Sequence, residues 1–360
     1  RIHKLGRALA PFCQATELRA GFCRDNPHMD PQTMAEGLTI SLGPWDETGL
    51  MALWSAEQPY LDGGLAPRLA AVVLGGVLPP SHVQAIAYPW LLGADIIVKR
   101  PSRDPWFVDH LAAALGPGIT LVDRMGLGGA LGRVDAVVAV GSDASVREVL
   151  SNVPVSTPAL SFGHQTAIAV VPGPAARSEP VAASVVRDLA TFDQLGCLSP
   201  REVFVVGNLT DARHLAGNVA MGLARAPRRL ALDVACEGAL RGARESALLR
   251  GHEVLGPDDL QWGLTVVEGG EWCGTPGGRH AIVRVVPTFE ALIDALSPIR
   301  GHLSAVSVAG TDLAPGTREA LVRLGASRVV RSGQLQAAPP TWPHDGRRPL
   351  ASLCRWFGRD

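Results

Sequence analysis

From Leu69 onward the chain alternates apolar strand-like runs with helix-like runs at short intervals, and that alternation restricts it to a parallel α/β fold. LAAVVLGGVLPP reads as a buried strand leaving into a Gly/Pro loop, and SHVQAIAYPWLLGA as a helix with a kink at Pro89. ADIIVKRPS reads as a second strand, DPWFVDHLAAALGPG as a helix with a glycine stop, and ITLVD as a short strand. VDAVVAVGSDASVREVL is strand, loop and helix. The second half repeats the pattern, with AIAVV, REVFVVG, LTVVEGG, HAIVRVVP, LSAVSVAG and SRVVRSG as strands. Residues 1–66, where Pro, Gly and polar residues interrupt every apolar run, give no periodic signal. No internal repeat stands out.

Composition excludes several classes. The net charge is −1, which leaves no basic footprint for nucleic acid. The most apolar region, residues 69–98, contains Pro79, Pro80, His82, Gln84, Pro89 and Asp95, so no membrane span is expected. The six cysteines (Cys13, Cys23, Cys197, Cys236, Cys273 and Cys354) form no CxxC pair and are scattered, which suits reduced thiols and a cytoplasmic location. No HExxH or other metal-ligand spacing is present. The chain opens with Arg1 and no apolar signal region follows, so an incomplete N-terminus and no signal peptide are expected.

One cysteine stands at a structural junction. In FDQLGCLSPREVF, residues 192–204, Cys197 follows a run of helical spacing that extends from about residue 180 to 195 and precedes a β-rich run. A thiol there is a nucleophile if its pKa is lowered and it is reachable, and a small buried hydrophobe otherwise. Three further clusters carry chemistry. VKRPSRDP places Lys99, Arg100 and Arg103 beside Ser102 at the C-terminal end of a parallel strand, where open α/β sheets bind ligands. Those charges suit a ribose bearing a 2′-phosphate, or simply form a solvated basic loop. Gly141 and Ser142 end a strand and open a helix, with Asp143 expected to cap it. His164, in SFGHQTA, is a candidate proton donor or acceptor for a nearby thiol, or an ordinary structural histidine. GLGGALG, residues 126–132, is not a dinucleotide fingerprint, because Leu131 stands where the last glycine is required.

Taken together and in order, WLLGADIIVKRPSRDP, VDAVVAVGSDASV, LSFGHQTAIAVV, FDQLGCLSPREVFV and PTWPHDGRRPLASLCRWF resemble the acyl-CoA reductases of the LuxC type, within the aldehyde dehydrogenase superfamily. The resemblance implies an aldehyde dehydrogenase-like α/β fold. It implies a cofactor-binding domain over residues 1–162, a catalytic domain over 163–336 and a C-terminal tail, 337–360, packing on the body or on a partner subunit. Trp342, Trp356 and Phe357 of that tail are expected to be buried. It further implies Cys197 as acylated nucleophile, His164 at the position of the superfamily's base, and Lys99, Arg100, Ser102, Arg103, Gly141 and Ser142 as cofactor-binding residues. NADPH would be the cofactor. Acyl-CoA or an acyl-carrier protein would be the substrate, with an acyl-transferring or synthetase partner and a homo-oligomeric state.

The implied reaction is reduction of an acyl thioester to an aldehyde through a cysteine acyl-enzyme. Two alternatives stay open from sequence: a short-chain acyl-CoA or acyl-phosphate reductase of the same superfamily, and a non-catalytic nucleotide-binding paralogue. The second draws on one departure. Where such reductases carry GNVP, whose asparagine can donate to an oxyanion, this chain has Gly75, Gly76, Val77, Leu78 and Pro79. An oxyanion donor is worth about 3 kcal/mol.

Overall fold

The computed structural model describes residues 1–14, 30–103, 105–230, 232, 234–310 and 313–358. Strands β1 (Gly64–Leu65), β2 (Leu69–Val73), β3 (Asp95–Lys99), β4 (Ile119–Val122), β5 (Ala136–Val140) and β6 (Ala159–Phe162) belong to a first unit. β2 to β6 form one sheet in the order β4-β3-β2-β5-β6, and every pairing in it is parallel. Its central strands are short apolar runs buried on both faces, as Ala70, Ala71, Val72, Val137, Val138 and Ala139 are. Helices Pro79–Leu91, Pro105–Leu115 and Asp143–Leu150 make the crossovers. The strand order reverses between β2 and β5, so their C-terminal ends frame a topological switch point, the usual ligand crevice of such sheets.

A second sheet is built from β7 (Thr166–Pro172), β8 (Pro200–Val206), β9 (Glu253–Leu255), β10 (Gly263–Glu268), β11 (His280–Val286), β12 (Leu303–Val308) and β13 (Arg328–Arg331). Its order is β13-β12-β7-β8-β11-β10-β9, parallel except for β9 against β10. Side chains alternate along each strand and so serve two cores. Ala169, Val171, Val203 and Val205 pack with helices Glu179–Ala190 and Leu209–Arg225, whereas Ile168, Val170, Phe204 and Val286 pack with Phe289–Ala295 and Pro315–Leu324.

Of the described residues, one compact unit comprises Arg1–Asn26, Leu38–His164 and Ala337–Asp360, and the other Pro27–Gly37 and Gln165–Gln336. The region without sequence periodicity holds the helices Ile2–Gln14, Pro31–Leu42 and Glu47–Leu61. Pro11 and Pro59 lie inside two of them, and these breakers conceal the helical pattern. No helix among the described residues is long and apolar enough to cross a membrane.

The tail belongs to the core of the first unit. His344 stacks between Phe162 and Trp342, with ring centroids 4.4 and 4.1 Å away. Its Nδ1 meets Gln84 Oε1 at 2.9 Å, Gln84 Nε2 donates to Tyr88 Oη at 2.9 Å, and Tyr88 Oη donates to the Pro340 carbonyl at 3.3 Å. Glu57 accepts from the backbone N–H groups of Leu350 and Ala351. Trp342 is 6% exposed, but Trp356 and Phe357 are 52% and 56% exposed. The last strand, β14 (Arg355–Trp356), pairs only with the two-residue β1, antiparallel, and so short a ribbon cannot cover both rings.

Burial pushes His344 down to about 3, even with Asp345 Oδ1 at 3.6 Å from Nε2. The unfolded chain carries an ordinary histidine near 6.5. Between those values the unfolded state binds the additional proton, so stability falls as pH drops below about 6.5. Urea unfolding should therefore show a loss of about 2 kcal/mol from this residue between pH 7.5 and 5. In His344→Gln the curve over that interval should be flatter, although its stability at pH 7.5 should be lower.

Candidate active site

The helix expected over about 180–195 stops at Ala190, and this change builds the cysteine loop. Thr191 Oγ1 caps the helix by donating to the Arg187 carbonyl at 2.7 Å. Phe192, Asp193 and Gln194 then adopt left-handed φ values of 54°, 53° and 63°. A left-handed residue with a Cβ costs roughly 1–2 kcal/mol, so three in succession need firm anchoring.

Each of the three side chains supplies an anchor. The Phe192 ring is buried against the helix Pro31–Leu42, where a Cβ at Gly37 would stand 2.5 Å from its Cε1. Asp193 is buried and paired with Arg279, whose Nε lies 2.7 Å from Oδ1. Gln194, fully buried, donates to the Pro200 carbonyl at 2.7 Å and accepts from His280 N–H at 2.8 Å. The loop is thereby fixed to the N-terminal ends of β8 and β11. Past it, Leu195 N–H donates to the Phe192 carbonyl, Ser199 N–H to the Gly196 carbonyl, and the buried Ser199 hydroxyl accepts from Gln336 Nε2. Cys197, at the tip of this turn, is exposed.

Buried arginines cluster beneath the loop. Arg279 also donates to the Pro227 carbonyl at 2.6 Å and to Thr33 Oγ1 at 3.3 Å. Arg229 donates to the Leu260 carbonyl and takes Gln261 Oε1 on its backbone N–H. Arg201 lies just inside β8, and its electrostatic partners are the thiols of Cys197 and Cys236. On the other face of β8, Glu202 is fully buried and paired with Arg284 of β11 at 2.7 Å. Its Oε1 also accepts from the backbone N–H groups of Cys273 and Gly274. Burial first, then Glu202, pushes the Cys273 thiol up, so Cys273 is a poor nucleophile.

In the first unit, the switch point is lined by glycine backbone. Gly75 follows β2, and a Cβ there would meet the Val140 carbonyl oxygen at 2.8 Å and Gly141 Cα at 3.1 Å. Lys99, at the end of β3, is half-buried and donates to the Leu74 carbonyl at 3.3 Å. Burial, and secondarily Arg124, pushes its ammonium down. Arg100 is committed elsewhere, its Nε 2.7 Å from Asp109 Oδ1. Ser102 and Arg103 are exposed. Ser142 caps the helix Asp143–Leu150, accepting from Ser145 N–H at 3.2 Å. Asp143, expected as that cap, instead accepts from the His164 backbone N–H at 2.6 Å. The His164 side chain is exposed. One ammonium, one guanidinium and two hydroxyls at the C-terminal ends of β3 and β5 are a donor set that fits a nucleotide's ribose and phosphates.

The family model for acyl-CoA reductase (LuxC) matches residues 129–356. The chain belongs to the LuxC family. Among curated LuxC-type relatives, the long-chain acyl-protein thioester reductase of Aliivibrio fischeri is 22% identical over 313 residues, covering 80% of this chain and 63% of the relative. That of Photobacterium phosphoreum is 23% identical over 313 residues, covering 80% of this chain and 62% of the relative. This LuxC member thus spans less than two thirds of their length. Among solved structures, methylmalonate-semialdehyde dehydrogenase from Oceanimonas doudoroffii has a TM-score of 0.68 at 14% identity, covering 100% of this chain and 87% of that one. The NAD-dependent benzaldehyde dehydrogenase from Corynebacterium glutamicum has a TM-score of 0.68 at 13% identity, covering 94% and 82%. The fold is that of the aldehyde dehydrogenases.

Sequence reasoning singled out Cys197 and missed Asp193, Gln194, Arg201 and Arg279. The signal available was the adjacent polar pair Asp193 and Gln194 between Phe192 and Leu195, at the end of the run of helical spacing. Arg279→Met should leave Asp193 as a buried, unpaired carboxylate. Urea unfolding of that variant should show a loss of roughly 3–5 kcal/mol, and a loss under 1 kcal/mol would mean the pair does not hold the loop.

Proposed function

We propose that this chain reduces an acyl thioester to an aldehyde through an acyl-enzyme on Cys197, with NADPH as reductant. The observation that carries the reading is the exposed thiol of Cys197 on a rigidly anchored left-handed turn, in a chain of the LuxC family. The relatives' names describe long-chain acyl-protein thioester reductases, which supports a long acyl chain carried by a protein or by coenzyme A.

In the first half-reaction the Cys197 thiolate adds to the thioester carbonyl and the tetrahedral oxyanion collapses, expelling the donor thiolate. A new C–S bond to Cys197 replaces the old one. The backbone N–H of Cys197 is the oxyanion donor we assign, because Gly76 stands in the sequence where such reductases carry the asparagine. His164 is assigned as proton donor to the departing thiol or to the alkoxide that follows. When bound, the nicotinamide cofactor supplies the hydride that reduces the acyl group. The hemithioacetal left on Cys197 then breaks its C–S bond, releasing aldehyde and restoring the thiol. Lys99, Arg103, Ser102 and Ser142 are assigned to the cofactor's ribose and phosphates. Arg100 is assigned there too, its Nε held by Asp109.

Gly76, at φ +76° with open space where a Cβ would stand, also favours a second reading, a nucleotide-binding protein without turnover. Radiolabelled acyl thioester separates the two. Wild-type protein should accumulate label on Cys197 without cofactor, and Cys197→Ala should accumulate none while retaining NADPH binding. Label on Cys197→Ala, or none on wild type, would overturn the acyl-enzyme. In the same assay His164→Ala should form product roughly 10²–10⁴-fold more slowly, and the wild-type rate in a folded variant would remove His164 from the reaction.

Cofactor choice has its own measurement. Arg103→Ala should weaken NADPH binding roughly tenfold, the scale of one charge-assisted hydrogen bond, and leave NADH binding nearly unchanged. Equal losses for the two would assign Arg103 to the fold or to the shared ribose.

A further inference from the structure

We propose that Arg201 is the positioning residue that holds Cys197 in its anionic, reactive form. The proposal rests on the reading of Cys197 as acyl acceptor, and it comes from an imbalance among the buried arginines. Arg279 has Asp193, Arg284 has Glu202, and Arg229 has the Leu260 carbonyl. Arg201, half-buried, has none of these: its Nη1 is buried and, like Arg229 Nε, makes no hydrogen bond among the described residues, and unlike Arg229 it has no carbonyl acceptor either. A buried guanidinium without a counter-charge is costly, so its retention calls for an anion close by.

The carboxylate next to it in sequence is not that anion. Successive residues of β8 point to opposite faces. Glu202 shares its face with Phe204 and is bound by Arg284, while Arg201 shares the face of Val203 and Val205. Room for the guanidinium is made by Gly277, at φ +93°, where any Cβ would overlap Arg201 Nη1. The strand start is fixed by Gln194, which donates to the Pro200 carbonyl and so sets Arg201 relative to the turn bearing Cys197. Burial pulls the guanidinium below its ordinary range, and Cys197, then Cys236, push it back. Among the described residues, the other charged and titratable groups around this cluster offer no substitute. Asp193 is taken by Arg279, Arg229 is a cation, Cys236 on the helix Val234–Leu249 is a second thiol, and burial pushes His280 down to about 4, leaving it neutral. Among the described residues a thiolate at Cys197 is the counter-charge left for Arg201, and a cation beside a thiol favours that form.

The test is the rate of Cys197 alkylation by iodoacetamide across pH 6–10 in the full chain, read on the Cys197 peptide by mass spectrometry. Arg201→Gln should alkylate about tenfold more slowly at pH 7, the effect of one unit in thiol pKa, and should approach the wild-type rate above pH 9.5. Arg201→Lys should retain most of the wild-type profile. A packing role would lower melting temperature without moving the pH profile, so superimposable profiles for folded wild type and Arg201→Gln overturn the proposal. Where Arg201→Gln does not fold, wild type supplies a second readout. Iodoacetate should be favoured over iodoacetamide more strongly at Cys197 than at N-acetylcysteinamide in solution, and an equal ratio overturns the proposal. These readouts need no acyl substrate. Arg201-dependent alkylation in a protein that never takes label from an acyl thioester would support the pairing and sink only the acyl-enzyme.

Discussion

Through its buried guanidinium, Arg279 ties together segments of the second unit that the sheet alone does not join. From one side chain it reaches Asp193, the Pro227 carbonyl and Thr33 Oγ1, while its backbone leads into β11. Segments far apart in sequence thus share one buried cation. Its ion pair with Asp193 need not be a large net gain, because taking both charges out of water offsets much of their attraction. What the pair supplies is specificity. With Asp193 held there, the chain between Ala190 and Cys197 cannot continue as a helix, and the left-handed turn becomes the only course open to it.

That turn explains where sequence reading stops. The alternation of strands and helices from Leu69 was legible because apolar periodicity is local, and both parallel sheets follow from it. Cys197 was legible as a junction residue within a family pattern. The end of the helix was not. Residues 191–195 keep apolar spacing, and the cause of the break is Arg279, nearly ninety positions later. Arg201 was hidden for the same reason, since its surroundings depend on Gly277 and on the facing of β8. In the first unit, Lys99 and Ser142 lie at strand ends where they were expected, but Arg100 could not be separated from Arg103 without Asp109 on the following helix.

The tail shows the same limit from another side. Trp342, Trp356 and Phe357 are alike by composition, yet Trp342 is buried in the stack of His344 and Phe162 while the other two stay half-exposed. A count of large apolar residues gives no hint of which ring meets a partner. The histidine between them is buried with aromatic rings on both faces, Gln84 at its Nδ1 and Asp345 near its Nε2.

The discontinuity of the first unit has a consequence for synthesis. Its parallel sheet is complete by Phe162, yet Gln84 and Tyr88, bonded to each other, gain His344 and Pro340 as further partners from the tail, and β1 pairs with β14. Between these pieces the ribosome delivers every strand of the second sheet. A nascent chain therefore carries the earlier sheet with an open seam while the later one has all its strands in hand. Closure of the first unit waits on residues made after the whole second sheet, so a chain ending before residue 340 would keep its thiol loop and lose the side chains that seal the first unit.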